Sequence, residues 1–505
     1  MGLAGCPSEP LSEMDLRIMQ ELGLLKPPAT GTQEGGVPDP RERHARMALL
    51  LAARRARDPG IAVYLYDPEP LLVREAAIAI HDEQLDAALP VLADLLARTA
   101  EQGFTGSPLV RRALNANLRL GGEERARALA RYSLRPDQEE AHRAEALAML
   151  GEWGDPCDVD RVQGCWLPLQ PRDAAYLPGL VRELAPEMAA QPDAVRNAWI
   201  ALAGAVRADV APALEAFLRD RAQPTSTRTA ALSALAELGA PGLRLAVAEA
   251  LSDADGRVRA AALDALGRLD LAQALPLVAR VLDDGELAER RSAYRLLASA
   301  PGAQADLLLA RELQKLAADL LPAELALDVV QAAEAQGGEE AGAWLEVHRA
   351  PRAADPELAP WLDSLFGGDP ERGRRLFREE VSLSCLRCHR TEPGAGPSVG
   401  PALEGVGSRL SRLQLLESVA APNRHVAAGF ATETFFLKDG AVLAGRVLTE
   451  GPDALVVLDA AGAVVDLALA DVEERRPGLS AMPSNLLAPL SRAELRDLIA
   501  YLASL

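Results

Sequence analysis

Small and aliphatic residues recur at helical spacing from about residue 40 to residue 350. The clearest stretch is TSTRTAALSALAELGAPGLRLAVAEAL, followed by DGRVRAAALDALGRLDLAQALPLVARVL and then LAERRSAYRLLASA. Arg228, Arg259 and Arg291 hold equivalent places in these segments, about 31 residues apart. Because one helix pair cannot bury its own apolar face, this repeat predicts helix pairs stacked into an α-solenoid.

Weaker copies of the pattern extend this array toward the amino terminus. They begin near Arg74, Arg111, Arg143 and Arg196. The motif resembles HEAT repeats, and we predict that residues 41–355 form such an array. It contains no cluster of catalytic residue types, which favours a scaffold. Residues 1–40 are rich in Pro, Gly and Glu, which predicts a loose segment with one helix around 14–25.

One irregular stretch, residues 154–173, interrupts the array. Its sequence is GDPCDVDRVQGCWLPLQPRD, and it places Cys157 and Cys165 on a loop-like segment. In an oxidising compartment the two cysteines could form a disulfide. Close spacing does not guarantee the geometry that a disulfide needs, so two unpaired cysteines are the alternative.

The pattern changes after a break near 356–368. The segment GDPERGRRLF predicts a helix that begins with Asp369 as N-cap and Pro370 at the first helical position. Residues 431–475 alternate and are rich in β-branched residues, with Asp439-Gly440 as a hairpin turn. This alternation predicts a small β insert of four or five strands.

A final amphipathic helix closes the chain. Its start, SRAE, places Ser491 and Glu494 at the positions of a capping box. Four apolar residues then line one helical face: Leu495, Leu498, Ile499 and Leu502.

Composition narrows the class of protein. The formal net charge is −20, and nucleic-acid affinity comes largely from cationic contacts with phosphate, so no nucleic-acid partner is expected. The chain contains no run of eighteen apolar residues, which argues against a transmembrane helix. Aromatic residues make up only 4%, and the abundance of Ala and Leu favours helix over sheet.

The segment SCLRCHR contains the spacing C-x-x-C-H, the signature of c-type haem attachment. In that chemistry Cys385 and Cys388 form thioethers with the two vinyl groups of one haem. His389 then supplies the proximal ligand to iron. Two cysteines and a histidine within five positions are unexpected in a chain with only five cysteines and six histidines.

The sixth iron ligand must come from elsewhere, and Met482 is our first candidate. It is the one methionine of the carboxyl-terminal third and lies in the non-helical segment LSAMPSN. A thioether ligand raises the reduction potential, as in cytochromes c. His425 is the rival ligand. A zinc site made from His425 and the C-x-x-C-H residues, or a redox dithiol, are further alternatives.

Other residues near the motif are candidates for supporting roles. Pro401 could accept a hydrogen bond from Nδ1 of His389, since such bonds fix the orientation of a ligand. Arg409 is a candidate partner of a haem propionate, with a solvated helix-end charge as the alternative. Gly373 and Phe377 could meet the last helix near Tyr501.

Residues 366–505 resemble the haem-binding domain found in Planctomycetes and Verrucomicrobia, a cytochrome c variant. The matching blocks are GRRLF, CLRCH, GPALEGVG, LLESVAAPN, GFATE, LKDGAVLAG, DVEERRPGLSAMP and LSRAELRDLIAYLASL. The resemblance implies one covalently attached haem c, and the β insert also belongs to this family. The fold class predicted is therefore mainly α, a HEAT-like solenoid followed by a c-type cytochrome domain with a small β insert.

The resemblance implies a function in electron transfer. The expected partners are a donor dehydrogenase and a respiratory acceptor, either a cytochrome or an oxidase. In relatives a β-propeller resembling a quinone-dependent sugar dehydrogenase precedes the repeats. This sequence has no propeller, so we do not expect enzymatic activity of the chain alone. The alternatives are a haem subunit of a multi-chain sugar or alcohol dehydrogenase and a haem-free repeat interaction protein.

Covalent haem attachment takes place outside the bacterial cytoplasm, so the resemblance implies export to the periplasm or the outer surface. Leu3-Ala4-Gly5-Cys6 has the form of a lipoprotein lipobox, but two preceding residues are too few for a signal. We therefore expect either an upstream start or an accidental match. Contact with a membrane is expected only if Cys6 is lipidated.

Overall fold

The computed structural model describes residues 40–98, 104, 106–380, 382–392, 399–459 and 462–505. The chain divides into two compact units, Met1–Val258 and Arg259–Leu505. Their described parts are mainly helical, and the second unit also contains a small antiparallel sheet, which confirms the predicted fold class at this level. Cys6 and the predicted helix around 14–25 lie outside the described residues.

Short helices joined by turns form the described part of the first unit. Helix α6 packs on α8, α8 on α10, and α9 on α10, which is the neighbour-to-neighbour packing of a helical repeat. The bounds are α1 Pro40–Arg55, α2 Pro70–Asp82, α3 Leu89–Asp94, α4 Ser107–Leu120, α5 Glu123–Ser133, α6 Glu140–Gly151, α7 Leu177–Leu184, α8 Asp193–Ala205, α9 Ala211–Arg219, α10 Thr225–Leu238 and α11 Leu243–Ala250.

The arginines that mark the repeats have a structural role in this unit. Arg143, Arg196 and Arg228 each lie near the start of a helix, and the Nε of each donates to a carbonyl near the end of the helical segment before it. The last carbonyls of a helix have no partner within the helix, so the arginine satisfies one of them. The pairs are Arg143 with Ser133 at 2.9 Å, Arg196 with Met188 at 3.4 Å and Arg228 with Leu218 at 3.0 Å.

The irregular stretch predicted at 154–173 is non-helical. An isolated antiparallel bridge joins Val159 to Trp166, and Trp166 is largely exposed. Cys157 and Cys165 are both exposed, free cysteines. The predicted alternative of two unpaired cysteines therefore matches this structure.

Helix α12, Gly256–Leu269, begins before the division between the units, and the remaining helices belong to the second unit. The residues predicted as repeats, 41–355, are thus shared between both units. None of the helices in the described part of the chain has the length and hydropathy needed to cross a membrane. The bounds are α13 Leu271–Asp284, α14 Leu287–Ser299, α15 Ala303–Ala317, α16 Ala326–Gln336, α17 Glu339–Arg349, α18 Pro370–Glu379, α19 Val406–Arg409, α20 Arg412–Ala420 and α21 Arg492–Leu502.

A five-stranded antiparallel sheet lies between α20 and α21, in the order β4-β3-β2-β1-β5. Asp439-Gly440 forms the predicted turn, with Gly440 at φ +87° and Asp439 accepting from the amide of Ala441 at 2.9 Å. The predicted small β insert is present as this sheet, whose strands span 433–477, against predicted bounds of 431–475. The bounds are β1 Glu433–Leu437, β2 Val442–Glu450, β3 Ala454–Asp459, β4 Val464–Ala468 and β5 Val472–Pro477.

Ion pairs join helix α16 to the last helix, α21. Arg496 contacts Asp328 at 2.6 Å, and Arg291 approaches the same carboxylate at 3.4 Å. The side chains of Arg496 and Asp328 are only 6% and 10% exposed. Arg492 donates to Glu334 at 3.1 Å beside them. The helical repeats of this unit are therefore bound to α21 through largely buried charges.

Candidate functional site

Helix α18 begins as the sequence predicts. Asp369 is the N-cap, and its Oδ1 accepts from the amides of Glu371 at 2.9 Å and Arg372 at 3.2 Å. Pro370 occupies the first helical position, where its missing N–H costs no hydrogen bond. The predicted capping box of Ser491 and Glu494 likewise starts α21. Both helices that frame the site therefore have defined starts.

Helices α18 and α21 cross in close contact at Gly373. A Cβ atom there would collide with the carbonyl oxygen of Asp497 and lie 2.7 Å from Cβ of Tyr501. One turn later the rings of Phe377 and Tyr501 meet, with centroids 5.5 Å apart. The expected contact of Gly373 and Phe377 with the last helix is confirmed, and glycine is what permits it.

The C-x-x-C-H segment folds into a single turn. Cys385–Arg387 is a 3₁₀ helix, preceded by Ser384 in the left-handed conformation at φ +46°. The amides of Cys388 and His389 both donate to the carbonyl of Cys385, at 3.2 and 2.9 Å. The turn therefore keeps the two thiols and the imidazole on one short, internally bonded piece of backbone.

A second segment, residues 400–403, is hydrogen-bonded to the backbone on both sides of His389. The amide of Gly400 donates to the carbonyl of Cys388 at 2.9 Å, and that of Leu403 to the carbonyl of Arg390 at 2.7 Å. A Cβ atom on Gly400 would lie 2.7 Å from Cε1 of His389 and 2.9 Å from Nδ1. The imidazole thus rests against backbone at a position where only glycine leaves it room.

The contact predicted between His389 and Pro401 is present. Nδ1 of His389 lies 2.9 Å from the carbonyl oxygen of Pro401. A carbonyl can only accept, so Nδ1 carries a proton, and in the neutral ring Nε2 then has the free lone pair. Burial lowers the pKa of His389 below its usual value, and the bond to Pro401 opposes this in part. The ring is therefore held neutral, in the tautomer that can bind a metal through Nε2.

Cys385 and Met482 pack against the same apolar cluster, although almost one hundred residues separate them in the sequence. Burial raises the pKa of the Cys385 thiol to about 11. Cys385 and Cys388 are free thiols. The buried members of the cluster are Phe377, Leu383, Val406, Leu415, Leu416, Val419, Leu487, Leu490, Leu495, Leu498, Ile499, Tyr501 and Leu502.

The other candidate ligands lie as follows. Met482 is half-buried, and its amide donates to Oγ of Ser480 at 3.2 Å. His425 is exposed. Among the described residues, no group of three or more His, Cys, Asp or Glu side chains is placed to hold a metal ion. The four residues of the zinc alternative are therefore not gathered into one site.

Arg409 lies at the end of the short helix α19, and its guanidinium binds backbone. It donates to the carbonyls of Ala402 at 3.2 Å, Glu404 at 3.1 Å and Gly405 at 3.3 Å. These three residues lie within the four positions that follow Pro401. Arg409 thereby stabilises the loop that brings the Pro401 carbonyl to His389, and its assignment to a propionate stays a prediction.

Gly400 is a residue of this site whose contact with His389 was not predicted from the sequence. In the segment SVGPALEGVG the glycine before Pro401 looks like an ordinary turn residue. A glycine directly before a residue expected to bond a buried histidine was the available signal, because the backbone must come within contact distance of the ring.

Residues 210–298 match the HEAT-repeat family. A second comparison finds cytochrome c2 of Rhodoblastus acidophilus, 45% identical over 42 residues. That match covers 8% of this chain and 35% of the cytochrome, so the chain spans about a third of the length of this curated relative. The family match over residues 210–298 confirms the predicted HEAT repeats for that part of the array.

A solved complex of CpcE and CpcF of phycocyanin lyase from Nostoc sp. PCC7120 is also similar. One chain of that complex is 18% identical to this protein. The match covers 64% of this protein and 98% of that chain. The TM-score of 0.23 does not establish a shared arrangement of the helices.

Proposed function

We propose that the chain is a monohaem c-type cytochrome that carries electrons, with a helical-repeat scaffold for docking its partners. The observation that carries the proposal is the set of contacts that hold His389. A neutral imidazole, bonded through Nδ1 to Pro401 and seated on Gly400, follows directly after two thiols on one turn. The short match to cytochrome c2 supports the same conclusion.

The residues present fit a covalently attached haem. Cys385 and Cys388 would form the two thioethers, and Nε2 of His389 would bind iron on one side. Met482 would be the second protein ligand, since it packs on the same apolar cluster as Cys385. A bound haem supplies one-electron chemistry between Fe(III) and Fe(II), and the protein supplies ligands, burial and orientation.

The partners and the location follow from this proposal. The donor would be a dehydrogenase, and the acceptor a respiratory cytochrome or oxidase. HEAT repeats in series offer an extended surface suited to binding other proteins. Since such haems are attached after export, the proposed location is the periplasm or the outer surface.

Replacing Met482 by leucine tests the ligand assignment and the electron-carrier role together. The exported wild-type chain should show one reversible one-electron couple in a spectroelectrochemical titration. In Met482→Leu the haem should stay attached while the midpoint potential falls, since thioether ligation raises it. The readouts are the midpoint potential and the haem content.

His425→Ala serves as the matched control, because His425 is the rival ligand and is exposed. It should leave the potential unchanged. If His425→Ala lowered the midpoint potential and Met482→Leu left it unchanged, His425 would be the ligand instead of Met482. A chain without any reversible couple would contradict the electron-carrier proposal.

A further inference from the structure

The loop that carries Met482 is joined to Asn423, a residue distant in the sequence, by one hydrogen bond, and a second bond inside the loop continues from there to Met482. The amide of Ser480 donates to Oδ1 of Asn423 at 2.8 Å. The amide of Met482 then donates to Oγ of Ser480 at 3.2 Å. Asn423 therefore binds Ser480, and Ser480 in turn binds the Met482 amide. The whole β insert separates Asn423 from Met482 in the sequence.

We propose that Asn423 is a positioning residue for Met482, holding its loop in the conformation in which the thioether can bind iron. This inference rests on the proposed haem function. Asn423 acts as a hydrogen-bond acceptor, because its side-chain oxygen binds the amide of Ser480 in the loop. Groups that bond a metal ligand directly contribute ten- to a hundredfold to metal affinity or activity, and Asn423 acts one step further out, through the Ser480 amide.

The backbone directly after Asn423 is anchored through Arg424, although the Asn423 side chain is exposed. The guanidinium of its neighbour Arg424 binds Asp355 at 2.8 Å and Glu357 at 2.8 Å. The Arg424 amide donates to the carbonyl of the buried Ala421 at 2.9 Å. An anchored residue can order a loop, whereas a mobile one would only move with it.

The stem of the β insert reaches the same loop but stops short of Ser480. The amide of Gly478 donates to the carbonyl of Thr432 at 2.9 Å, and the hydroxyl of Thr432 binds the carbonyl of Leu479. Within the described residues, the side-chain acceptor for the Ser480 amide is that of Asn423. The contacts of Thr432 therefore fix the chain at residues 478–479, where it leaves the sheet. Asn423 fixes the next residue, Ser480, from which the chain continues to Met482.

The first experiment uses the full chain without haem, made where no haem is attached. Hydrogen–deuterium exchange of the peptide covering 478–484 reports the loop directly. Asn423→Ala should speed exchange there by about fivefold, the size expected for losing one hydrogen bond. Asn423→Asp keeps the acceptor oxygen and should exchange like the wild type. Asn485→Ala is the control, an exposed asparagine on the same loop for which the structure shows no side-chain hydrogen bond.

The second experiment uses the exported, haem-loaded chain. In Asn423→Ala the covalent haem content should stay at the wild-type level while the midpoint potential falls toward that of Met482→Leu. Asn423→Asp should restore the wild-type potential, and Asn485→Ala should retain it. A merely structural role would not move the potential at full haem content.

Two results would overturn the role of Asn423 by itself. One is wild-type exchange and potential in Asn423→Ala, and the other is an Asn423→Asp variant that behaves like the alanine variant. If no variant, nor the wild type, carries covalent haem, the proposed function fails, and the role of Asn423 toward iron fails with it.

Discussion

Replacing Gly373 by alanine is expected to open the contact between α18 and α21 and to destabilise both helices by about 3 kcal/mol. The added Cβ would collide with the carbonyl oxygen of Asp497 and lie 2.7 Å from Cβ of Tyr501. Backbone and Cβ atoms cannot rotate away, so the helices must separate. In hydrogen–deuterium exchange, peptides from both helices should exchange about a hundredfold faster.

Gly342→Ala is the matched control for this substitution. Gly342 lies inside helix α17 of the same unit, and a Cβ added there meets nothing within 4 Å. Alanine should stabilise that helix by up to about 1 kcal/mol, because glycine is the poorer helix former. Peptides from the sheet, 433–477, should not change in either variant. Equal, small effects of the two substitutions would contradict the close crossing at Gly373.

Replacing Asp328 by asparagine is expected to loosen α21 from the repeats of the second unit by about 3 kcal/mol. The substitution removes the carboxylate shared by Arg291 and Arg496, and the Arg496 side chain is only 6% exposed. A buried cation left without its counter-charge costs far more than an exposed one. Exchange in α16 and α21 should accelerate about a hundredfold.

The control for Asp328→Asn is Asp306→Asn on helix α15. Asp306 is exposed, and its change should alter exchange by less than about twofold, as for most surface substitutions. The effect of Asp328→Asn should also persist at high salt, since buried pairs are screened little. An effect that disappears in 1 M salt (roughly a 3 Å Debye length) would place this contact on the surface instead.

Local patterns predicted much of this fold because the relevant contacts are close in sequence. The N-cap at Asp369, the capping box at Ser491 and the turn at Gly440 each depend on neighbours within a few residues. The repeat period predicted the helical array for a similar reason, since each unit packs on the next.

Long-range contacts were harder to predict. Nothing around Asp328 or Arg496 indicates that they meet, because their pairing depends on how the last helix lies against α16. Gly400 shows the same limit, as its neighbour in space is the ring of His389. The contact of His389 with Pro401 was predictable because a histidine ligand needs an acceptor for its other nitrogen.

The central claim is that one haem is bound covalently through Cys385 and Cys388. The most direct test is the mass of the peptide spanning 384–390, taken from the full chain after export in a host that matures c-type cytochromes. We predict that this peptide carries the mass of one haem, and that the same peptide from a Cys385→Ser, Cys388→Ser double variant does not. An unmodified peptide from the correctly exported wild-type chain would contradict the account.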